Sequence, residues 1–158
     1  MLGPICCGAS PTGDLYVGGM RESGWGGGNN VGELVRLRPR PYLPTGIREV
    51  RAWKRGFIVE FTGSVEPAAV AQATSYSISS YRRIWQGTYA TPDSDRQSEE
   101  IREAALAPDG RSVVLTLARM REGFVYDIHV TVPAQAGSPL WPAQAHYTLN
   151  AVPSPPAP

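Results

Sequence analysis

From Ile47 onward, apolar side chains recur at every second position over short runs. Phe57, Val59 and Phe61 alternate with Ile58, Glu60 and Thr62, the period of a strand with one buried face. Ser112–Leu117 sets Val113, Leu115 and Leu117 against Ser112, Val114 and Thr116. Phe124–Val132 carries Phe124, Tyr126, Ile128, Val130 and Val132 on one face. Ile47–Trp53, a long Ser75–Trp85 with Tyr76 and Ile78 on one side, Ile101–Leu106 and Ala145–Ala151 read as further strands. Turn signals separate them. Ala107-Pro108-Asp109-Gly110 is the strongest, with proline preset for the second position and glycine free to take positive φ. Glu66-Pro67 opens a short helical turn through Ala68–Gln72, since proline suits the first helical position. Residues 86–98 are polar and predict an exposed loop. About seven strands at spacings of roughly 8–12 residues predict an all-β sandwich. Val59, Leu115 and Ile128 should then meet between two facing sheets, leaving no cleft for reactive groups.

The first part of the chain is organised differently. Residues 14–19 and 33–38 read as two strands around the loop Gly24-Trp25-Gly26-Gly27-Gly28-Asn29-Asn30. Two strands alone are marginal in water, so this hairpin should pack on something else. An unpaired strand at Leu15/Val17 would be a sticky edge, which makes a homodimer through the N-terminal strands one expectation. Residues 39–46 form a Pro-rich connector. The expected organisation is a Gly-rich β segment over 1–38, that linker, a sandwich over 47–151, and a disordered tail over 152–158. Cys6 and Cys7 are adjacent. A disulfide between neighbours is strained, and two thiols fall short of a four-ligand zinc site. They read as small apolar residues in a frayed or previously buried segment.

Composition narrows the partners. Hydrophobic residues make up 42% and charged ones 18%, which permits a core, and the formal charge is +1. Basic and acidic residues sit side by side, as in Arg48-Glu49 and Arg102-Glu103. Nucleic-acid binding requires a basic excess on one face, so neither nucleic acid nor an anionic membrane is expected as a partner. No stretch approaches the roughly 18 apolar residues of a membrane span. The start has neither a basic n-region nor a long apolar h-region, so no signal peptide is expected in this chain.

Candidate chemistry is sparse. His129 shares the polar side of its strand with Asp127 and Thr131, and His146 precedes Tyr147 near the last strand. Neither accompanies a Gly-x-Ser-x-Gly elbow, and no catalytic residue is expected. Gly24–Gly28 lacks the Lys-Ser/Thr of a phosphate loop. Asp93, Asp95, Glu99 and Glu100 offer oxygen ligands without the register of a calcium loop, so neither a metal nor a cofactor is expected. The aromatics Tyr81, Trp85 and Tyr89 gather around one strand end and loop, with Trp53 and Trp141 near others. Flat exposed rings stack on sugars, whereas buried rings fill cores or domain contacts.

Two segments resemble known proteins. Gly13-Asp14-Leu15-Tyr16-Val17-Gly18-Gly19, Gly24-Trp25-Gly26 and Gly32-Glu33-Leu34-Val35-Arg36-Leu37-Arg38 resemble the closing blade of a β-propeller. The blade is of the kind found in large secreted quinoprotein sugar dehydrogenase-like and c-type cytochrome fusion proteins. Phe57-Ile58-Val59-Glu60-Phe61-Thr62, Val65-Glu66-Pro67-Ala68, Ser75-Tyr76-Ser77-Ile78, Leu106-Ala107-Pro108-Asp109-Gly110-Arg111 and Tyr147-Thr148-Leu149-Asn150 resemble the bacterial immunoglobulin-like domain that follows such propellers. The resemblance implies a periplasmic or extracellular setting and an adjacent domain, of the same or a partner chain, as neighbour. The family's activity does not carry over. Haem attachment needs Cys-x-x-Cys-His, and the family's cofactor residues lie on earlier blades. Three readings remain: a non-catalytic structural or interaction module, a carbohydrate-binding module using Tyr81, Trp85 and Tyr89, or a standalone enzyme.

Overall fold

The computed structural model describes residues 2–21, 31–38, 41–135 and 137–154. The Gly24–Asn30 loop, with its phosphate-loop reading, and tail residues 155–158 lie outside them. The chain divides into two compact units, Met1–Leu43 and Pro44–Pro158.

The first unit is a three-stranded antiparallel sheet of β1 (Gly3–Ala9), β2 (Leu15–Arg21) and β3 (Val31–Leu37), in that order. The pattern predicts two strands; β1 is the addition, in the segment expected to be frayed or previously buried. Its Gly3, Pro4 and Gly8 are poor strand formers and hide it from a sequence reading. Pairing with β2 holds it. Cys6 lies opposite Gly18 and Cys7 opposite Val17, so alternation sends the thiols to opposite faces. Because β2 is paired on both sides, Leu15 and Val17 are central and do not form the open edge expected of them. The β1–β2 turn closes where the Asp14 N–H donates to Ser10 Oγ at 3.1 Å. The Asp14 carboxylate then holds Arg36 across the β2–β3 pair at 2.7 Å.

The second unit contains β4 (Ile47–Trp53), β5 (Gly56–Phe61), a helical turn α1 (Pro67–Val70), β6 (Tyr76–Arg83), β7 (Asp93–Ser98), β8 (Ile101–Leu106), β9 (Ser112–Leu117), β10 (Phe124–Val130) and β11 (Gln144–Leu149). One four-stranded sheet runs β4-β5-β9-β8 and the other β11-β10-β6-β7. In immunoglobulin lettering these are A-B-E-D and G-F-C-C′, so the expected immunoglobulin-like sandwich is present. The strand count exceeds the expected one because β7 occupies part of the predicted 86–98 loop. The sequence of β7, Asp-Ser-Asp-Arg-Gln-Ser, has no apolar alternation. It is an edge strand held by pairing with β6 and by charge. Period-two reading cannot find such a strand.

Between the sheets, Phe57, Val59 and Phe61 of β5 and Val113 and Leu115 of β9 face Ile78 of β6 and Tyr126, Ile128 and Val130 of β10. Val59, Leu115 and Ile128 are fully buried. Each such side chain contributes about 1.5–3 kcal/mol of transfer free energy. The Phe57 and Tyr126 rings meet edge-on with centroids 4.9 Å apart, joining the sheets. The Tyr126 hydroxyl accepts the backbone N–H of Arg121 at 2.5 Å. A Tyr early in strand F that binds the backbone a few residues upstream is the tyrosine corner of immunoglobulin-like sandwiches.

Two glycines are dictated by the geometry. At Gly56 a Cβ would lie 1.9 Å from the Leu115 carbonyl oxygen, so only glycine lets the β4–β5 turn close on β9. Gly110 sits at φ 67° in the β8–β9 turn, a region costly for other residues. In that turn Asp109 Oδ1 accepts the N–H groups of Arg111 and Ser112 at 2.9 and 2.8 Å. Asp109 Oδ2 accepts the Ser112 hydroxyl at 2.7 Å. These bonds, the Ser112 hydroxyl first, hold the Asp109 carboxyl below its ordinary range.

Two outcomes follow for stability. Gly56→Ala should cost about 3 kcal/mol by forcing β5 from β9, read as a lower urea midpoint. A depressed folded-state pKa gives stabilisation that is complete above the unfolded value of about 3.9 and is lost as pH falls through the folded value. Asp109→Asn should therefore lower stability at neutral pH and flatten the acid limb of a stability–pH curve.

Candidate functional site

The most heavily built polar region lies at one end of the sandwich, where β6, β7 and the β9–β10 connection meet. The alternation that buries Tyr76 and Ile78 also turns Ser80 inward, fully buried beside Tyr126. A buried hydroxyl needs a partner. Ser80 donates to the Glu99 carboxylate, whose side chain is only 2% exposed. That buried charge is answered by Arg121 Nη1 at 3.9 Å and Arg119 Nε at 3.6 Å. Arg121, 12% exposed, also donates to Ser80 Oγ at 2.9 Å and stacks over Phe124, 3.6 Å from the ring centre. Its other nitrogen bonds the Asp95 carboxylate. Asp95 reaches that position with φ 55°, beside the irregularity where β6 and β7 shift register.

The carboxylates considered as calcium ligands have arginine partners. Asp93 is held by Arg96 at 2.7 Å and Arg83 at 3.1 Å, and Arg96 above all lowers its pKa. Asp95 and Glu99 serve Arg121, and Glu100 pairs with Arg102 at 3.1 Å. Each carboxylate meets an arginine, Asp95 and Glu99 the same one. Among the described residues no cluster of metal-ligating side chains is present.

The three aromatics considered for sugar stacking differ in exposure. Tyr81 is only 8% exposed, and the Arg96 guanidinium covers its ring 4.2 Å from the centre. Its face is already occupied. Trp85 is 79% exposed and Tyr89 fully so, both in the segment between β6 and β7, and among the described residues neither stacks on another ring. Of the remaining tryptophans, Trp53 is buried and Trp141 exposed. The Trp53 indole N–H donates to the Leu115 carbonyl at 3.3 Å.

On the outer face of the second sheet, Asp127 lies between His146 of β11 and Ser79 of β6. His146 Nδ1 is 3.7 Å from Asp127 Oδ1, and Ser79 Oγ accepts from Arg96 at 2.8 Å. The order is imidazole, carboxylate, hydroxyl. A nucleophile–base pair needs the imidazole in the middle to take the hydroxyl proton, and this face does not provide it. His129 is exposed beside Ser77 and Gln144.

The sequence reading overlooked one feature. A cleft of about 360 Å³ opens at the rim of the β4-β5-β9-β8 sheet, lined by Lys54, Arg55, Arg102, Leu117, Ala118, Arg119 and Met120. Lys54 and Arg55 are adjacent, Arg102 and Arg119 are distant from them in sequence, and the four were legible only as a turn and scattered surface charges. A second, apolar depression of about 430 Å³ lies on the β1–β3 sheet, against Pro4, Ile5, Cys6, Cys7, Leu15 and Val17.

No protein-family model and no curated protein matches the chain. Among solved structures, the crystal structure of the S-layer protein rSbsC(31-844) is similar, with a TM-score of 0.52 and 20% identity. The match covers 71% of this chain and 14% of that one. At that identity the likeness concerns the fold alone.

The buried ion network should dominate the stability of this end. Glu99→Ala should cost about 3 kcal/mol, because it leaves Arg121 and Ser80 buried without their partner. Arg119→Ala, at a mostly exposed position, should cost less than about 1 kcal/mol. Urea titration of both variants measures the contrast, and equal losses would contradict the assignment.

Proposed function

We propose that the chain is a non-catalytic structural and interaction module that positions a neighbouring domain. The observation that carries this reading is how the polar groups are used. The carboxylates considered for chemistry are engaged by arginines that tie one strand or connection to the next. Among the described residues, no buried side-chain nitrogen or oxygen lacks a hydrogen-bond partner. A fold shared with a segment of an S-layer protein also fits a structural role.

The finer reading places the module at the C-terminal end of an exported oxidoreductase, in a periplasmic or extracellular setting. Its support is the blade-like sequence of the first unit together with the antiparallel β1-β2-β3 meander, the form from which propeller blades are built. The exposed apolar side chains of this sheet, Leu34 on β3 and Ile5 on β1 among them, are what this reading assigns to contact with the adjacent domain or a second copy.

The full chain should show no turnover of sugars with an added quinone and calcium; sustained turnover would overturn the proposal. The exposure of Trp85 and Tyr89 favours one second reading, polysaccharide binding. A pull-down on insoluble polysaccharide separates the two. The module reading expects no retention, whereas retention abolished by Trp85→Ala would establish a carbohydrate-binding surface instead.

A further inference from the structure

We propose that the rim cleft of the β4-β5-β9-β8 sheet binds an oxyanion: a phosphate, sulfate or carboxylate group on a small ligand. This inference stands independently of the module reading. The cleft has Lys54 and Arg55 on the β4–β5 turn, Arg102 on β8 and Arg119 just beyond β9. Its volume of about 360 Å³ lies at the small end of the range for ligand sites, about 300–1,000 Å³. Leu117, Ala118 and Met120 complete the lining.

The charge at this site is local. The whole chain carries a net +1, and other basic residues of the sandwich are matched by carboxylates, as in Arg48 with Glu60 and Arg96 with Asp93. In the cleft, Arg102 has Glu100 and Arg119 has Glu99. Among the described residues Lys54 and Arg55 form no ion pair, so two cations line the cleft without a carboxylate partner there. Arginine presents a planar fork of donors suited to bidentate contact with carboxylate or phosphate.

The walls are tied together before any ligand arrives. The Leu117 N–H donates to the Arg55 carbonyl at 2.8 Å, and the Ala118 N–H to the Glu100 carbonyl at 2.9 Å. The Trp53 indole is bonded to Leu115, and Gly56 allows the turn's close approach to β9. The backbone on either side of the cationic side chains is thus fixed by pairing, which lowers the cost of ordering them around an anion.

The test is titration of the full chain with pyrophosphate, sulfate and citrate at low ionic strength, followed by isothermal calorimetry. At least one probe should bind, and the one that does identifies which oxyanion is preferred. The double variant Lys54→Gln/Arg55→Gln should weaken that binding by about tenfold or more, the scale of one lost charge-assisted hydrogen bond. Arg111→Gln removes an exposed cation outside the cleft and should bind as the unaltered chain does. If the double variant does not fold, Lys54→Gln alone should weaken binding by about threefold or more. No binding of any probe would overturn the proposal. So would unchanged affinity in the cleft variant, or an equal loss in Arg111→Gln.

Discussion

Tyr126 is the joint on which the sandwich turns. Its ring lies fully buried against Phe57 of the opposite sheet, while its hydroxyl holds the backbone of Arg121. One side chain therefore couples sheet packing to the course of the β9–β10 connection. The side chain of Arg121 then fills the end of the core, stacked on Phe124 and bonded to Ser80 and Asp95. Apolar burial and ion pairing are consecutive layers at this end of the molecule. Neither would be ordered as it is without the other.

The same coupling explains why charged residues are plentiful yet chemically quiet. A buried charge is tolerated only with a partner and further hydrogen bonds, and Glu99 has both. On the exposed strands, Arg83, Arg96, Arg48 and Arg51 pair with carboxylates across or along the sheets. Exposed pairs of this kind add little stability singly. They do align edge strands such as β7, which lack an apolar face of their own. The rim cleft departs from this economy, because its turn brings Lys54 and Arg55 together and, among the described residues, neither pairs with a carboxylate.

Much of the sandwich was legible from side-chain alternation because period-two burial leaves a direct trace. Phe57, Val59 and Phe61, the β9 run and the β10 run all pack as their spacing predicts. The Asp109-Gly110 turn was equally readable, since its conformation is set by residues adjacent in sequence. β1 and β7 were not. The former is built of glycine, proline and cysteine, the latter of polar residues, and both exist through pairing with a neighbour. Pairing partners are a long-range property. No local pattern encodes them.

The candidate sites follow the same division. Sequence by itself determined the all-β class, the inward faces of β5, β9 and β10, and the residues available for chemistry. Only the tertiary structure decided how those residues are used: Tyr81 covered by Arg96, Trp85 left in solvent, and Glu99 buried against Arg121. It also assembled Lys54, Arg55, Arg102 and Arg119 around one cleft. The physical reason is range. Alternation and turn preferences act between residues a few positions apart, whereas desolvation and charge pairing depend on which distant segments the sheets bring into contact.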